Sequence, residues 1–212
     1  MTRMFLVRHG RTVWNKEQIF RGTYDIPLDE VGKQEARLVG EWLQQEEIEA
    51  VYSSPLSRAR ETAKAIALLH GLEVTVVDEL TDLDFGQWQG MSLREVRNQY
   101  PDPYRTWDEE PHRLVFPGGE GLDAVRSRVL EATSHIVASH PEGTVVLVSH
   151  RVVLKVLICA LLGLDNSHFW HIGQDTAAIN RFDFKNGRWI VSLLNDICHL
   201  KALDEQRAKV DF

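Results

Sequence analysis

Cysteine is nearly absent from this chain. Cys159 and Cys198 are the two among 212 residues, both in apolar surroundings and neither at the spacing of a metal ligand. No disulfide framework and no zinc site is implied, and the pair reads as small core residues of a protein in a reducing compartment. Long hydrophobic runs are missing as well. No window approaches the roughly 18 apolar residues of a membrane helix, and the first residues form no apolar stretch of leader length, so a cytoplasmic protein without a membrane partner is expected. Repeats and low-complexity linkers are absent too, which points to one domain over residues 1–212. Positive charge is in deficit: 24 Lys and Arg stand against 31 Asp and Glu, a net charge of −7. That is the wrong sign for a general binder of nucleic acid or anionic lipid.

What is present is an ordinary globular composition, 43% apolar and 26% charged, in a chain long enough for one sizeable core. Its positive charge is unevenly placed. Residues 1–22 carry Arg3, Arg8, Arg11, Lys16 and Arg21 against a single acid, Glu17. An anionic small molecule fits such a cluster; solvated surface charges are the plainer reading.

Strand and helix patterns alternate through the first 83 residues and resume near 121. Residues 4–7, an apolar run, read as a buried strand. Asp29 caps a helix whose buried stripe takes in Ala36, Val39 and Leu43, and residues 48–52 give a second strand. Ser54 as N-cap and Pro55 as first helical residue open a further helix, with Ala59, Ala63, Ile66 and Ala67 inward and Gly71 at its end. Residues 74–77 read as a third strand. Leu122, Val125, Val129, Ala132 and Ile136 mark a long helix, residues 144–148 a buried strand, and a helix follows to Leu162. Residues 178–184 and 189–194 form a hairpin around Asn186-Gly187. The fold class expected is α/β, a three-layer sandwich with a mostly parallel central sheet flanked by helices. Residues 86–121 break the alternation with Pro101, Pro103, Pro111 and Pro117 and carry Trp88, Tyr100, Tyr104, Trp107 and Phe116. They read as a small inserted cap, its aromatics serving either as a mini-core or as substrate contacts.

Three polar clusters fall where a strand ends and a helix begins: Arg8-His9-Gly10, Ser54 to Arg58, and Ser149-His150-Arg151. In a parallel sheet such junctions share one edge, and helix N-termini there present unpaired N–H groups suited to a phosphate. Taken alone, His9 also reads as a buried structural histidine.

Together, Leu-Val-Arg-His-Gly-x-Thr-x-Trp-Asn, Tyr-Ser-Ser-Pro-Leu-x-Arg, Phe-Gly-x-Trp-x-Gly and Val-Ser-His, spread over residues 4 to about 195, resemble the histidine phosphatase superfamily, which includes the cofactor-dependent phosphoglycerate mutases. The resemblance implies that His9 is the nucleophile that becomes phosphorylated. Arg8, Arg58 and His150 would hold the phosphoryl oxygens, with Asn15 and the Gly22 backbone assisting. No metal or cofactor is expected. The family's proton-donating glutamate corresponds to Asp82, whose stem is shorter by about 1.5 Å; Asp84 is the rival, and either also reads as a loop-capping aspartate. Within the superfamily, Glu109-Glu110-Pro111-His112, Pro117-Gly118-Gly119-Glu120, Cys159 to Gly163, Phe169-Trp170 and Cys198-His199-Leu200 are similar to the metal-independent phosphoserine phosphatases. That branch has a histidine where Phe85 stands, which leaves serine specificity open. Arg21 replaces a frequent glutamine, Arg151 a small residue, and Asp175 a common asparagine. The expected function is hydrolysis of a small phosphorylated metabolite through a phosphohistidine, by a homodimer built partly through its C-terminal segment. The alternatives are a phosphoglycerate mutase, disfavoured because Gly90-Met91-Ser92-Leu93 lacks a mutase-like Glu-Arg-x-Tyr-Gly stretch, and a phospholigand-binding protein without turnover.

Overall fold

A strand that is apolar on both faces needs cover on both sides. The computed structural model, which describes residues 1–203, supplies it. Strand β1 (Thr2–Arg8) lies beside β4 (Thr144–Ser149), which pairs with β2 (Ala50–Ser53) and, through it, with β3 (Val74–Val76), all parallel. On its other side β1 meets β5 (Ile179–Lys185), which turns back into β6 (Arg188–Asp196), both pairings antiparallel. The order β3-β2-β4-β1-β5-β6 is the mostly parallel sheet expected. Asn186 and Gly187 both have positive φ, 52° and 73°, the backbone of the tight hairpin turn that the Asn-Gly pair predicts.

The period-2 alternation of β1 divides the core. Met4 and Leu6 join Val145 and Leu147 on one face, and Phe5 and Val7 join Val146, Val148 and Val51 on the other. Helices α2 (Glu30–Leu43) and α3 (Ser57–His70) cover the second face with Val39, Leu43, Ala63 and Ile66. The long α6 (Leu122–Ser139) and α7 (Arg151–Leu161) cover the first. Asp29 caps α2 by accepting the Gly32 N–H at 2.8 Å, and Gly71 ends α3 in the left-handed conformation. A one-turn α1 (Val13–Lys16) follows β1.

The opening of α3 differs from the sequence reading. Its N-cap is Leu56, not Ser54, and Asp25 from a distant loop accepts the Ser57 N–H at 2.7 Å. The Ser54 hydroxyl lies 2.7 Å from His150 Nε2 and accepts the Leu56 N–H at 3.3 Å, so it closes a turn just before the helix rather than capping it.

Residues 86–121 hold α4 (Leu93–Gln99) and α5 (Pro101–Glu109). Ser92 and Glu95 close a capping box on α4, and Pro101 opens α5. Trp88, Trp107 and Phe116 are buried and meet edge to face, Trp88 with Phe116 at 4.9 Å and Trp107 with Phe116 at 5.3 Å. They belong to the same apolar cluster as Met4 and Leu6, so this segment packs as an extension of the sheet's core. Among the described residues, no helix is long and apolar enough to cross a membrane.

Candidate functional site

Parallel register brings the three polar clusters to one level. Arg8 lies opposite Ser149 and Ser53 opposite Val148; one residue on, His9 donates its N–H to Ser149 O at 3.0 Å and Ser54 donates to Val148 O at 3.1 Å. The imidazoles of His9 and His150 then face each other with ring centroids 5.1 Å apart, both fully buried.

His9 Nδ1 lies 2.6 Å from Gly10 O. A carbonyl only accepts, so Nδ1 carries the proton and Nε2 keeps its lone pair. Nε2 is buried and has no hydrogen-bond partner among the described residues. Burial, then the charges of Arg58, Arg8 and Arg21, hold the His9 pKa well below its ordinary value. His150 is depressed likewise, by burial first and by Arg58 next. Gly10 matters through close approach: a Cβ there would stand 2.4 Å from Gly32 O in the first turn of α2.

Arg8 and Arg58 are both buried and anchored on carbonyls. Arg8 Nη1 donates to Gln174 O at 2.6 Å. Arg58 donates from Nη1 to Tyr24 O at 2.7 Å and from Nη2 to Gly22 O at 2.8 Å, so Gly22 enters the site as the acceptor that orients this guanidinium. Arg58 Nη2 also pairs with Asp82 Oδ2 at 3.2 Å, and His150 Nδ1 is 3.7 Å from the same oxygen. Asp82 is thus within the cluster. Asp84 is occupied otherwise: its Oδ1 accepts the Gly86 N–H at 2.8 Å, the loop-capping role.

Asn15 accepts from the Thr12 N–H and hydroxyl at 2.9 and 3.0 Å, closing a capping box on α1, and its buried Nδ2 has no hydrogen-bond partner among the described residues. Arg21, Asp82, Phe85, Trp107 and Arg151 line one narrow pocket whose other walls, such as Ile19 and Val152, are apolar. Arg151 lies over the Trp170 ring at 5.5 Å, and Phe85 is wedged against Phe20 and Phe116 at 5.2 and 5.0 Å. Asp175 is engaged with Asn195, which donates from Nδ2 to its carboxylate at 2.7 Å.

Sequence reasoning missed several supports. Thr62 accepts the Gly10 N–H at 3.1 Å and donates to Arg58 O at 2.8 Å. Glu35 is fully buried and accepts from the Arg11 N–H at 2.7 Å and the Thr176 hydroxyl at 2.9 Å. A carboxylate at 35, in helical step with Val39 and Leu43, was a readable signal, since a buried acid needs donors.

Residues 4–197 match the histidine phosphatase superfamily (branch 1). Phosphoserine phosphatase 1 of Hydrogenobacter thermophilus is 40% identical over 200 residues, covering 94% of this chain and 95% of that protein. Among solved structures, Bacillus stearothermophilus YhfR superposes with a TM-score of 0.91 at 31% identity, covering 95% of this chain and all of that one. A mutant phosphoserine phosphatase of Entamoeba histolytica in complex with phosphoserine gives a TM-score of 0.85 at 26% identity, over 94% of this chain and all of that one. With its strand-end histidines and buried arginines in place, the chain belongs to the histidine phosphatase superfamily, branch 1.

Proposed function

We propose that this phosphatase, a phosphoric monoester hydrolase of small phosphorylated metabolites, works through a phosphohistidine at His9 without a metal. The observation that carries this is the tautomer of His9: Nδ1 is fixed as donor on Gly10 O, and the unshared pair on Nε2 lies among buried cations. Neutral imidazole is the nucleophilic form, and the depressed pKa keeps it neutral at physiological pH.

In this reading Nε2 attacks phosphorus and the ester oxygen leaves. Arg8, Arg58, His150 and the Nδ2 of Asn15 meet the phosphoryl oxygens, offsetting the charge that spreads over them. Asp82 delivers a proton to the leaving oxygen and then takes one from the water that hydrolyses the phosphohistidine; its contact with Arg58 and its approach to His150 support the choice over Asp84. Arg21, Phe85 and Arg151 meet the rest of the substrate, with residues 86–121 as the cap over it. Phosphoserine and 3-phosphoglycerate are the first esters to try.

The test is product analysis on 3-phosphoglycerate with a trace of bisphosphorylated cofactor, with and without excess chelator. Release of inorganic phosphate that survives the chelator is expected. Fast interconversion of phosphoglycerates would make the protein a mutase, and loss of activity with chelator would end the metal-independent reading.

Cys159 is buried as expected but Cys198 is exposed rather than a core residue, and the two free thiols support a reducing, cytoplasmic setting. Exposed Ile190, Val191 and Leu194 on the outer strand β6 support a homodimer, to be read from sedimentation; a monomer at micromolar concentration would contradict it. Residues 204–212 of the C-terminal segment lie outside the described residues.

A further inference from the structure

The backbone that carries Asp82 belongs to no strand or helix. One 3-10 turn ends at Leu80 and the next begins at Gly86, so no ladder sets the path between them. A single side chain on α6 does so instead. Arg128 Nη1 donates to Glu79 O at 2.5 Å and Thr81 O at 2.7 Å, and its Nη2 reaches Asp82 O at 3.4 Å. The same guanidinium is gripped by Glu120, Nη2 to Oε1 at 2.7 Å and Nε to Oε2 at 3.3 Å. Glu120 in turn holds the far side of the loop: its Oε1 accepts the Asp84 N–H at 3.1 Å and its own N–H donates to Asp84 O at 3.0 Å. From the sheet, the Ser149 hydroxyl donates to Leu80 O at 2.7 Å.

We propose that Arg128 and Glu120 form a clamp that fixes the reach of Asp82 toward the leaving oxygen, making them positioning residues for proton donation. The inference rests on Asp82 being the acid. An aspartate has one methylene less than a glutamate to absorb error, and a misplacement of about 1 Å costs on the order of 100-fold in rate. The planar fork of arginine, with five donors, spans three carbonyls and a carboxylate at once; a lysine ammonium cannot.

The readout is the rate of phosphoenzyme formation in single turnovers, on an alkyl phosphate and on 2,4-dinitrophenyl phosphate, whose leaving group departs without a proton. Arg128→Lys and Glu120→Gln should slow the alkyl ester by about 100-fold and about 10-fold, and the dinitrophenyl ester by less than about 3-fold. Thermal midpoints are recorded alongside, and Glu120→Gln, nearly isosteric, carries the test if Arg128→Lys does not fold. A clamp that only stabilised the fold would lower both rates together, and equal losses on the two esters, or no loss on either, would overturn the proposal. Asp82→Asn separates the premises. If it discriminates between the esters and the clamp variants do not, the clamp falls and the acid stands; if none of the three discriminates, both fall.

Discussion

At the His9 end of the site, Arg8, His9 and His150 stand at the last residue of a strand or one beyond it, where the parallel ladder between β1 and β4 holds their backbone. At the Asp82 end, the carboxylate hangs from a loop without a ladder, and Arg21, Phe85 and Arg151 come from three separate stretches of chain. At the first end Arg8, His9, Arg58 and His150 are each fully buried. The second opens through a pocket lined by two cations, one acid and aromatic walls. The buried histidines thus gather where strands end, whereas the pocket beside them is assembled from separate segments, with Phe85 and Trp107 belonging to the core and Arg151 opening α7.

The sharpest way to break this contrast is through protons. His9 and His150 are buried in the neutral form, with pKa values well below 6.5, whereas in the unfolded chain they titrate near 6.5. The unfolded state therefore binds more protons as pH falls, and stability present above about 6.5 is lost on the way down to the folded pKa. Between pH 6.5 and 5.5 the two together should cost at most about 2 kcal/mol of unfolding free energy. Urea unfolding of the wild type and of His9→Gln/His150→Gln at both pH values reads this directly. Equal losses in the two proteins would show that burial does not hold these two histidines neutral.

A smaller effect sharpens the other side. Arg151→Ala removes a cation from the open pocket and leaves the buried Arg8 and Arg58 intact, so for a phosphoester carrying a carboxylate KM should rise about 10-fold with kcat within about 3-fold. For an uncharged aryl phosphate neither constant should change. A fall in kcat on both esters would mean that Arg151 acts on the phosphoryl group itself.

The same contrast governs how far the sequence was legible. Arg8-His9-Gly10 and Ser149-His150 could be placed because each follows an apolar run, and two parallel strands that pair in register end together. The Asn-Gly turn and the Asp29 cap were equally local and equally readable. Ser54 was misread because its hydroxyl serves His150, 96 positions away, and a turn before the helix at Leu56 N–H, two tasks that no local pattern distinguishes from a cap. Arg128, Glu120 and Thr62 act through contacts of long sequence separation, and no local pattern marks an arginine on α6 as the holder of a loop some 46 residues earlier. Asp82 and Asp84 differed only by motif alignment until their partners were seen, Arg58 for one and the Gly86 N–H for the other.

The central claim is that His9 Nε2 carries the phosphoryl group. Rapid quench with a ³²P-labelled phosphoester into alkali, followed by denaturing electrophoresis, tests it most directly. The wild type should show a label stable to alkali and lost in acid, mapped to His9, and His9→Ala should show none while still folding. A label on another residue, or hydrolysis that persists in His9→Ala, would contradict the account.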